Sequence, residues 1–281
     1  MQHIVIVGTG LIGSSFGLAL RKAGFTGAIT GVSSLPAITD AIAAGAIDRG
    51  ATLASAVPEA DLVFLSQTIG RILDTIRHLD PLLRPGTLVT DAGSTKCAIV
   101  DLARQTLPRA QFLGGHPMAG KETRGAAAAD PDLFRGRTWI LTPDDNEELR
   151  TSSALEFRMW LERIGAHVMT LDADEHDRVV SLTSHLAQLA STALAATVSD
   201  KLGGPPRLNA AGPGLEDMTR LAMGSYEIWR DILATNSDHI ERALGLYIQK
   251  LEHMRENLRT RQLQEEFERG AALAAQLRKP R

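Results

Sequence analysis

The stretch His3-Ile4-Val5-Ile6-Val7-Gly8-Thr9-Gly10-Leu11-Ile12-Gly13 decides the fold. Ile4 to Val7 are all β-branched, a residue type that packs well on a pleated surface, so His3–Val7 reads as a short buried strand. It runs directly into a G-x-G-x-x-G pattern. A helical stretch, Ser14 to Ala23, follows, and a second strand, Ala28 to Val32, closes a βαβ unit. The glycine pattern alone is weak; between a strand and a helix it is a dinucleotide-binding fingerprint. Gly8 allows the tight turn, Gly10 lets a pyrophosphate approach the backbone, and Gly13 lets helix and strand pack closely. The helix start then faces the phosphates with free N–H groups and its positive dipole end. The candidate cofactor residues are Gly8, Thr9, Gly10, Leu11, Ile12 and Gly13.

Outward from this unit, strand and helix signals keep alternating. Strands are expected at Leu62–Leu65, Thr87–Thr90, Gln111–Gly114, Thr138–Leu141 and His167–Leu171, and helices at Pro36–Ala44, Ile69–Leu83, Cys97–Thr106 and Glu147–Ile164. Such alternation implies a mostly parallel sheet with helices on both faces. After Asp172 the strand signals stop. One long helix is expected over Asp174–Ser199, then a Gly/Pro-rich break at 203–214. Helices at Glu216–Ala222 and Tyr226–Asn236 follow, and a last one from Asp238 to about Leu277. The fold class is therefore α/β: an N-terminal Rossmann-type dinucleotide-binding domain over residues 1–171, followed by an all-helical C-terminal domain over 172–281. In the last helix Ile240, Leu244, Tyr247, Leu251, Met254 and Leu258 step by 4, 3, 4, 3, 4, a heptad-like seam. Packing within the chain and packing against a second chain both fit it.

Composition narrows the function. A length of 281 residues suits two domains. The formal net charge of -3 argues against a nucleic-acid partner. Cys97 is the single cysteine, which excludes an intramolecular disulfide and a four-cysteine zinc site, and no metal-ligand pattern stands out. Met1–Leu20 and Val179–Ser199 lack Lys, Arg, Asp and Glu. The first lacks the basic start of a signal peptide and is interrupted by the glycine pattern. The second carries serines, threonines, His185 and Gln188, too polar for a membrane span, and reads as a helix buried in protein. A cytoplasmic protein with no membrane partner is expected.

Cofactor choice falls at the end of the second strand. An NAD site places Asp or Glu about 20 residues after the fingerprint, against the ribose 2′-hydroxyl. Here that position reads Val32-Ser33-Ser34, with no carboxylate to repel a 2′-phosphate and two hydroxyls to receive one. Ser33 and Ser34 favour NADP, with NAD the alternative, since no arginine stands beside them. Two further segments lie at strand ends, where open α/β sheets bind ligands. Thr90-Asp91-Ala92-Gly93-Ser94-Thr95-Lys96 places Ser94 near the reactive end of the cofactor. Gly114-Gly115-His116-Pro117-Met118-Ala119-Gly120-Lys121-Glu122 holds a histidine in a stiff, open turn, as a general base requires.

With GTGLIGSS, DAGSTK, GGHPMAGKE, LFRGRTWILTP, SLTSHLAQ and DMTRLA in this order, the chain resembles the prephenate and arogenate dehydrogenases of tyrosine biosynthesis. The resemblance implies a reaction. Hydride leaves ring C4 of a cyclohexadienyl substrate for the nicotinamide, the 4-hydroxyl loses its proton, carbon dioxide departs, and the ring becomes aromatic. It also implies roles. His116 bonds and deprotonates the substrate hydroxyl, Ser94 fixes that histidine and the hydroxyl, and Glu122 stands near the substrate entrance. Arg220 pairs with a substrate carboxylate, a task suited to a planar bidentate donor; an intrahelical pair with Glu216 is the competing reading. His185 belongs to the same substrate region. Many prephenate-type members carry a histidine where this chain has Gln188, a departure that leaves room for arogenate. The resemblance further implies a homodimer through the helical half, burying Ile240, Leu244 and Leu251, with neither a chorismate mutase segment nor a regulatory domain expected. Two rivals remain on the sequence alone. A hydroxyacid-type dehydrogenase would want a second-domain lysine, for which Lys201 and Lys250 are poorly placed. A dinucleotide sensor would not need Ser94, His116 and Arg220 together.

Overall fold

The computed structural model describes residues 1–121, 123–204 and 207–279. Eight strands form one sheet: β1 (His3–Val7), β2 (Ala28–Val32), β3 (Arg49–Gly50), β4 (Leu62–Leu65), β5 (Leu88–Asp91), β6 (Gln111–Pro117), β7 (Thr138–Thr142) and β8 (His167–Thr170). Their spatial order is β3-β2-β1-β4-β5-β6-β7-β8. β1 to β6 are mutually parallel, whereas β7 runs antiparallel to β6 and β8 parallel to β7. The reversal has a local cause. Among the described residues no crossover helix joins β6 to β7, only a loop with the turn Ala126–Ala128, so the chain turns straight back. The three strands β1, β2 and β4 lie where the β-branched runs put them. β3 leaves no sequence signal, being two residues long, and exists because Arg49 pairs with Thr30 on the edge of β2.

Helices α1 (Leu11–Lys22), α2 (Leu35–Ala43), α3 (Leu53–Ala56), α4 (Ile69–Leu79), α5 (Cys97–Thr106) and α6 (Ser152–Arg163) cover the two faces of the sheet. One core gathers Phe16 of α1 against Phe64, Trp139 and Phe157, at ring separations of 4.5, 5.7 and 6.4 Å. The other gathers Val5, Val63 and Val89 under Ile69, Ile72 and Ile76 of α4. Alternate residues of β1 and β4 thus feed opposite cores, which is why the strands are apolar throughout rather than alternating.

After β8 the described residues are helical: α7 (Ala173–Val180), α8 (Leu186–Leu202), α9 (Pro213–Thr219), α10 (Tyr226–Thr235), α11 (Ser237–Glu256) and α12 (Gln264–Leu277). α7 and α8 form the single long helix expected, but a π-helical turn over Ser181–His185 joins them. Ala173–Leu202 is long and apolar enough by length and composition to cross a membrane, and 28% of its apolar window is buried. The expectation of a helix buried in protein is met only in part within this chain, which leaves much of the surface of this helix uncovered. The last helix is also two helices. Arg261, with φ at 59°, breaks the chain between α11 and α12 in the left-handed region that L side chains seldom adopt. The heptad-like seam divides accordingly. Ile240, at 6% exposure, belongs to the chain's own core, whereas Leu251 and Leu258 stay exposed at 47% and 70%.

Candidate active site

The fingerprint glycines sit as their chemistry requires. Gly8 has φ at +99°, and a Cβ there would meet the Ser66 carbonyl oxygen at 2.8 Å. At Gly13 a Cβ would lie 2.1 Å from the Gly8 carbonyl oxygen, so only glycine allows α1 this close to the β1 turn. At Gly10 a Cβ would meet nothing within 4 Å; the backbone opens onto free space. Gly10 is also the N-cap of α1 and its end is uncapped by any side chain, leaving the first N–H groups available to an anion. Thr9 is buried and its hydroxyl donates to the Ala37 carbonyl at 3.1 Å, tying the loop to α2. Ser66, which follows β4 where strand order reverses, donates to the Gly8 carbonyl at 2.7 Å. Nothing in its immediate sequence announces that role. Leu11 and Ile12 open α1 and pack against the core. Ser33 and Ser34 are exposed beyond β2, with Ser34 at the N-cap of α2.

The loop after β5 and the end of β6 are held by a buried polar cluster. Lys96, fully enclosed, pairs with Asp91 and donates to the Gly115 carbonyl at 2.8 Å. Asp91 accepts from the Gly93 and Gly115 N–H groups at 2.7 and 3.0 Å. Burial pulls the Lys96 ammonium below its usual range, against the pull of Asp91. This pair clamps the backbone on which His116 rides.

His116 is 8% exposed, and its Nδ1 lies 2.8 Å from Nε2 of His176. Nδ1 of His176 lies 2.8 Å from the Asp177 carboxylate, which also accepts from the Lys96 and Cys97 N–H groups at 2.7 and 2.9 Å. Burial pushes His116 well below the ordinary histidine range, and the neighbouring His176, Lys96 and His185 push the same way. His176 is lowered chiefly by burial, against its bond to Asp177. Burial raises Asp177, but the bonds from His176, Cys97 and Lys96 outweigh it and keep the carboxyl below its usual range. The His116 partner is thus His176, not Ser94: the Ser94 hydroxyl is half-buried and makes no hydrogen bond among the described residues. Burial and the adjacent Asp177 push the thiol of half-buried Cys97 up to about 12.

The π turn sets His185 beside Asn236 and Trp229. Asn236 Nδ2 lies 2.8 Å from the Asp177 carbonyl and 3.3 Å from His185 Nδ1, and the His185 and Trp229 rings meet edge-on at 5.8 Å. Burial lowers His185 to about 4. One turn on, Gln188 Nε2 donates to the Leu221 carbonyl at 2.7 Å and to Thr192 Oγ1 at 3.1 Å. Ser191 Oγ accepts from the Ala222 N–H at 3.1 Å. These bonds staple the turn Arg220–Met223 to α8, so exposed Arg220 is held one residue from the Gln188 contact. His176, Asp177 and Asn236 thus link His116 to His185, while Gln188, one turn beyond His185, bonds the residue next to Arg220. His176 and Asp177 escaped sequence reading because a His-Asp pair in a helix reads as solvated charge, and Asn236 because its partners lie more than 50 residues away. Glu122 lies outside the described residues.

Comparison with known proteins covers both halves of the chain. Residues 16–170 match the family described as prephenate dehydrogenase, nucleotide-binding domain, and residues 172–272 the prephenate dehydrogenase, dimerization domain. A prephenate dehydrogenase of Lactococcus lactis subsp. cremoris is 34% identical over 85% of this chain and 66% of that protein. One from Bacillus subtilis is 35% identical over 90% of this chain and 69% of that protein. The match thus spans about two thirds of these relatives' length. The A. aeolicus prephenate dehydrogenase in complex with hydroxyphenyl propionate and NAD+ superimposes with TM-score 0.85 at 31% identity, covering 98% of this chain and 97% of that one. Synechocystis arogenate dehydrogenase superimposes with TM-score 0.78 at 29% identity, covering 98% of each chain. A 3-hydroxyisobutyrate dehydrogenase from Mycobacterium tuberculosis, 16% identical over 88% of this chain and 94% of that one with TM-score 0.58, shares the fold alone. The family models matched along both halves, on a mostly parallel sheet followed by helices, place this protein in the prephenate dehydrogenase family.

Proposed function

We propose that this chain catalyses the oxidative decarboxylation of a cyclohexadienyl substrate, with arogenate preferred over prephenate and NADP over NAD. The observation that carries the reaction is His116 at the end of β6, buried to 8% exposure and in contact at Nδ1 with His176, with burial lowering its proton affinity. The open face of Gly10 and the uncapped start of α1 fit a dinucleotide pyrophosphate. When bound, the nicotinamide supplies the acceptor for the hydride that leaves ring C4. His116 takes the proton of the 4-hydroxyl as that carbon is oxidised. Loss of the ring carboxylate as carbon dioxide sends its electron pair into the ring, and His116 returns the proton to the phenolate oxygen. Atoms and charge then balance with one carbon dioxide and one reduced cofactor per turnover. Ser94, whose hydroxyl makes no hydrogen bond among the described residues, is assigned the orienting of the substrate hydroxyl, and Arg220 is suited to a substrate carboxylate.

Gln188 supports the arogenate preference. A backbone carbonyl only accepts, so the atom facing Leu221 is the amide nitrogen, and its other hydrogen goes to Thr192. The amide oxygen is left as an acceptor, which suits the ammonium of the arogenate tail and not the keto group of prephenate. Ser33 and Ser34, with no carboxylate beside them, support NADP. The exposed Leu251, Leu258 and Phe267 support a homodimer through the helical half. The test is turnover of prephenate and arogenate, each with NAD and NADP, for the native chain and His116→Asn. Activity in the native chain that collapses in the variant, with cofactor affinity kept, supports the reading. Equal turnover in the variant removes His116 from the chemistry.

A further inference from the structure

Two histidines in this site are held by partners that leave no choice of hydrogen-bond direction. An ionised carboxylate only accepts, so His176 must donate from Nδ1 to Asp177 across their 2.8 Å contact. A neutral imidazole with its proton on Nδ1 offers a lone pair at Nε2. The 2.8 Å contact from that atom to His116 Nδ1 therefore runs from His116 to His176. His116 keeps its proton on Nδ1 and its lone pair on Nε2. The same logic acts through the main chain of Asp177. Its carbonyl accepts from Asn236 at 2.8 Å, which fixes that atom as the amide nitrogen. The second amide hydrogen is then directed at His185 Nδ1, 3.3 Å away, which must accept, so His185 carries its proton on Nε2.

We propose that His176 and Asn236, both anchored on Asp177, are positioning residues that give the two substrate-side histidines opposite polarity: His116 a proton acceptor at Nε2, His185 a hydrogen-bond donor at Nε2. The arrangement suits a substrate that presents a hydroxyl to one ring and an anionic oxygen to the other. It also gives the imidazolium formed on His116 a route to share charge, through His176, with the buried carboxylate of Asp177. Burial supports the neutral rings on which the polarity depends: His176 is fully enclosed, and His185 and Asn236 are 1% and 4% exposed. The inference rests on His116 as the base, but its readout does not.

The readout is the 15N spectrum of the histidine rings in the free, full-length enzyme at pH 7.5, where protonated and unprotonated ring nitrogens separate widely. His116→Asn and His185→Gln assign the signals. The native chain is expected to show His116 protonated at Nδ1 and His185 at Nε2. His176→Phe keeps the ring volume but removes the acceptor; His116 should then populate the Nε2-protonated form, with kcat reduced about 10- to 100-fold and KM within threefold. His176→Gln offers one donor and one acceptor, as the imidazole does, and should restore the Nδ1 form and most of kcat. Asn236→Leu should disturb the His185 signal and leave His116 alone. A native spectrum with His116 protonated at Nε2 overturns the proposal, even if no variant folds. So does an unchanged His116 spectrum with kcat within threefold in His176→Phe. Full turnover in His116→Asn would instead refute the base assignment and leave the tautomers as found.

Discussion

Adding one methyl group at Gly10 and at Gly13 should have opposite consequences, three residues apart. Gly10 has φ −80° and ψ −157°, a backbone state open to alanine, and its Cβ would meet nothing within 4 Å. Gly10→Ala therefore introduces no clash in the empty protein, and the loss of unfolded-state freedom should stabilise it by about 0.4–1 kcal/mol. For a chain of this size that is a rise in Tm of roughly 1–4 °C. The same methyl occupies the space through which a pyrophosphate would reach the α1 N–H groups. Losing one charge-assisted hydrogen bond of about 1.5–3 kcal/mol predicts a fall in cofactor affinity of roughly 10- to 150-fold. Gly13→Ala would place its methyl 2.1 Å from the Gly8 carbonyl and 2.5 Å from Ser66 Oγ. The first neighbour is backbone and cannot swing aside, so this variant should lose about 3 kcal/mol or more of stability. Thermal scans and calorimetric titration with NADP and NAD separate the two. A Gly10→Ala protein that binds cofactor as tightly as the native chain would refute the placement of the phosphates on this loop.

Other perturbations test other parts of the reading. Ser33→Asp places a carboxylate where a 2′-phosphate would sit, and should lower kcat/KM with NADP at least tenfold while sparing NAD; equal losses with both cofactors would refute the role of this position. Leu251→Glu, on the exposed seam of α11, should shift the sedimenting mass from dimer to monomer at micromolar concentration; a native monomer would refute the interface. Stability should also fall in mild acid, because folding depresses the proton affinity of His116, His176 and His185, the last to about 4. Above pH 6.5 both states leave these rings neutral; below it the unfolded chain gains protons that the folded one refuses, at about 1.4 kcal/mol per pH unit per ring. Urea unfolding at pH 7.5 and 5.5 should differ by about 2–4 kcal/mol, and equal values would show that these rings are not buried neutral.

Much of the sheet was legible because its strands are written in local chemistry. β1, β2 and β4 are β-branched or apolar runs bounded by polar turns, and each lies where its run predicts. β3 and the break at Arg261 were not legible for a shared reason. Neither has a composition of its own; one is a two-residue pairing imposed by β2, the other a backbone state outside the usual preference of its residue. The seam from Ile240 to Leu258 shows the matching limit of periodicity. A repeat of 4 and 3 tells which residues share a face, but not whether the chain itself covers that face. Here α11 turns Ile240 inward and leaves Leu251 outside.

The site divides along the same line. The glycine loop and His116 are visible because their chemistry constrains neighbours in sequence: a turn needs glycine at fixed spacing, and a rigid histidine needs glycine and proline beside it. The partner of His116 stands 60 residues away, and that of His185 stands 51 residues away. Pairings at that range leave no local spacing to read. They do leave a trace of another kind. His176, Asp177, Ser181, His185, Gln188 and Ser191 are the buried polar residues of one helical stretch, while Val180 is buried, Leu182 is exposed and Leu186 and Leu189 are half-buried. A soluble helix that hides its polar stripe and leaves leucines uncovered reverses the ordinary pattern, since burying a polar group is costly unless it is bonded. Such an inversion requires a polar network beneath the stripe and an apolar cover above it. In this chain the network is the one centred on Asp177, and the proposed homodimer would supply the cover. The proposed polarity of the two histidines and the proposed dimer thus meet on a single helix.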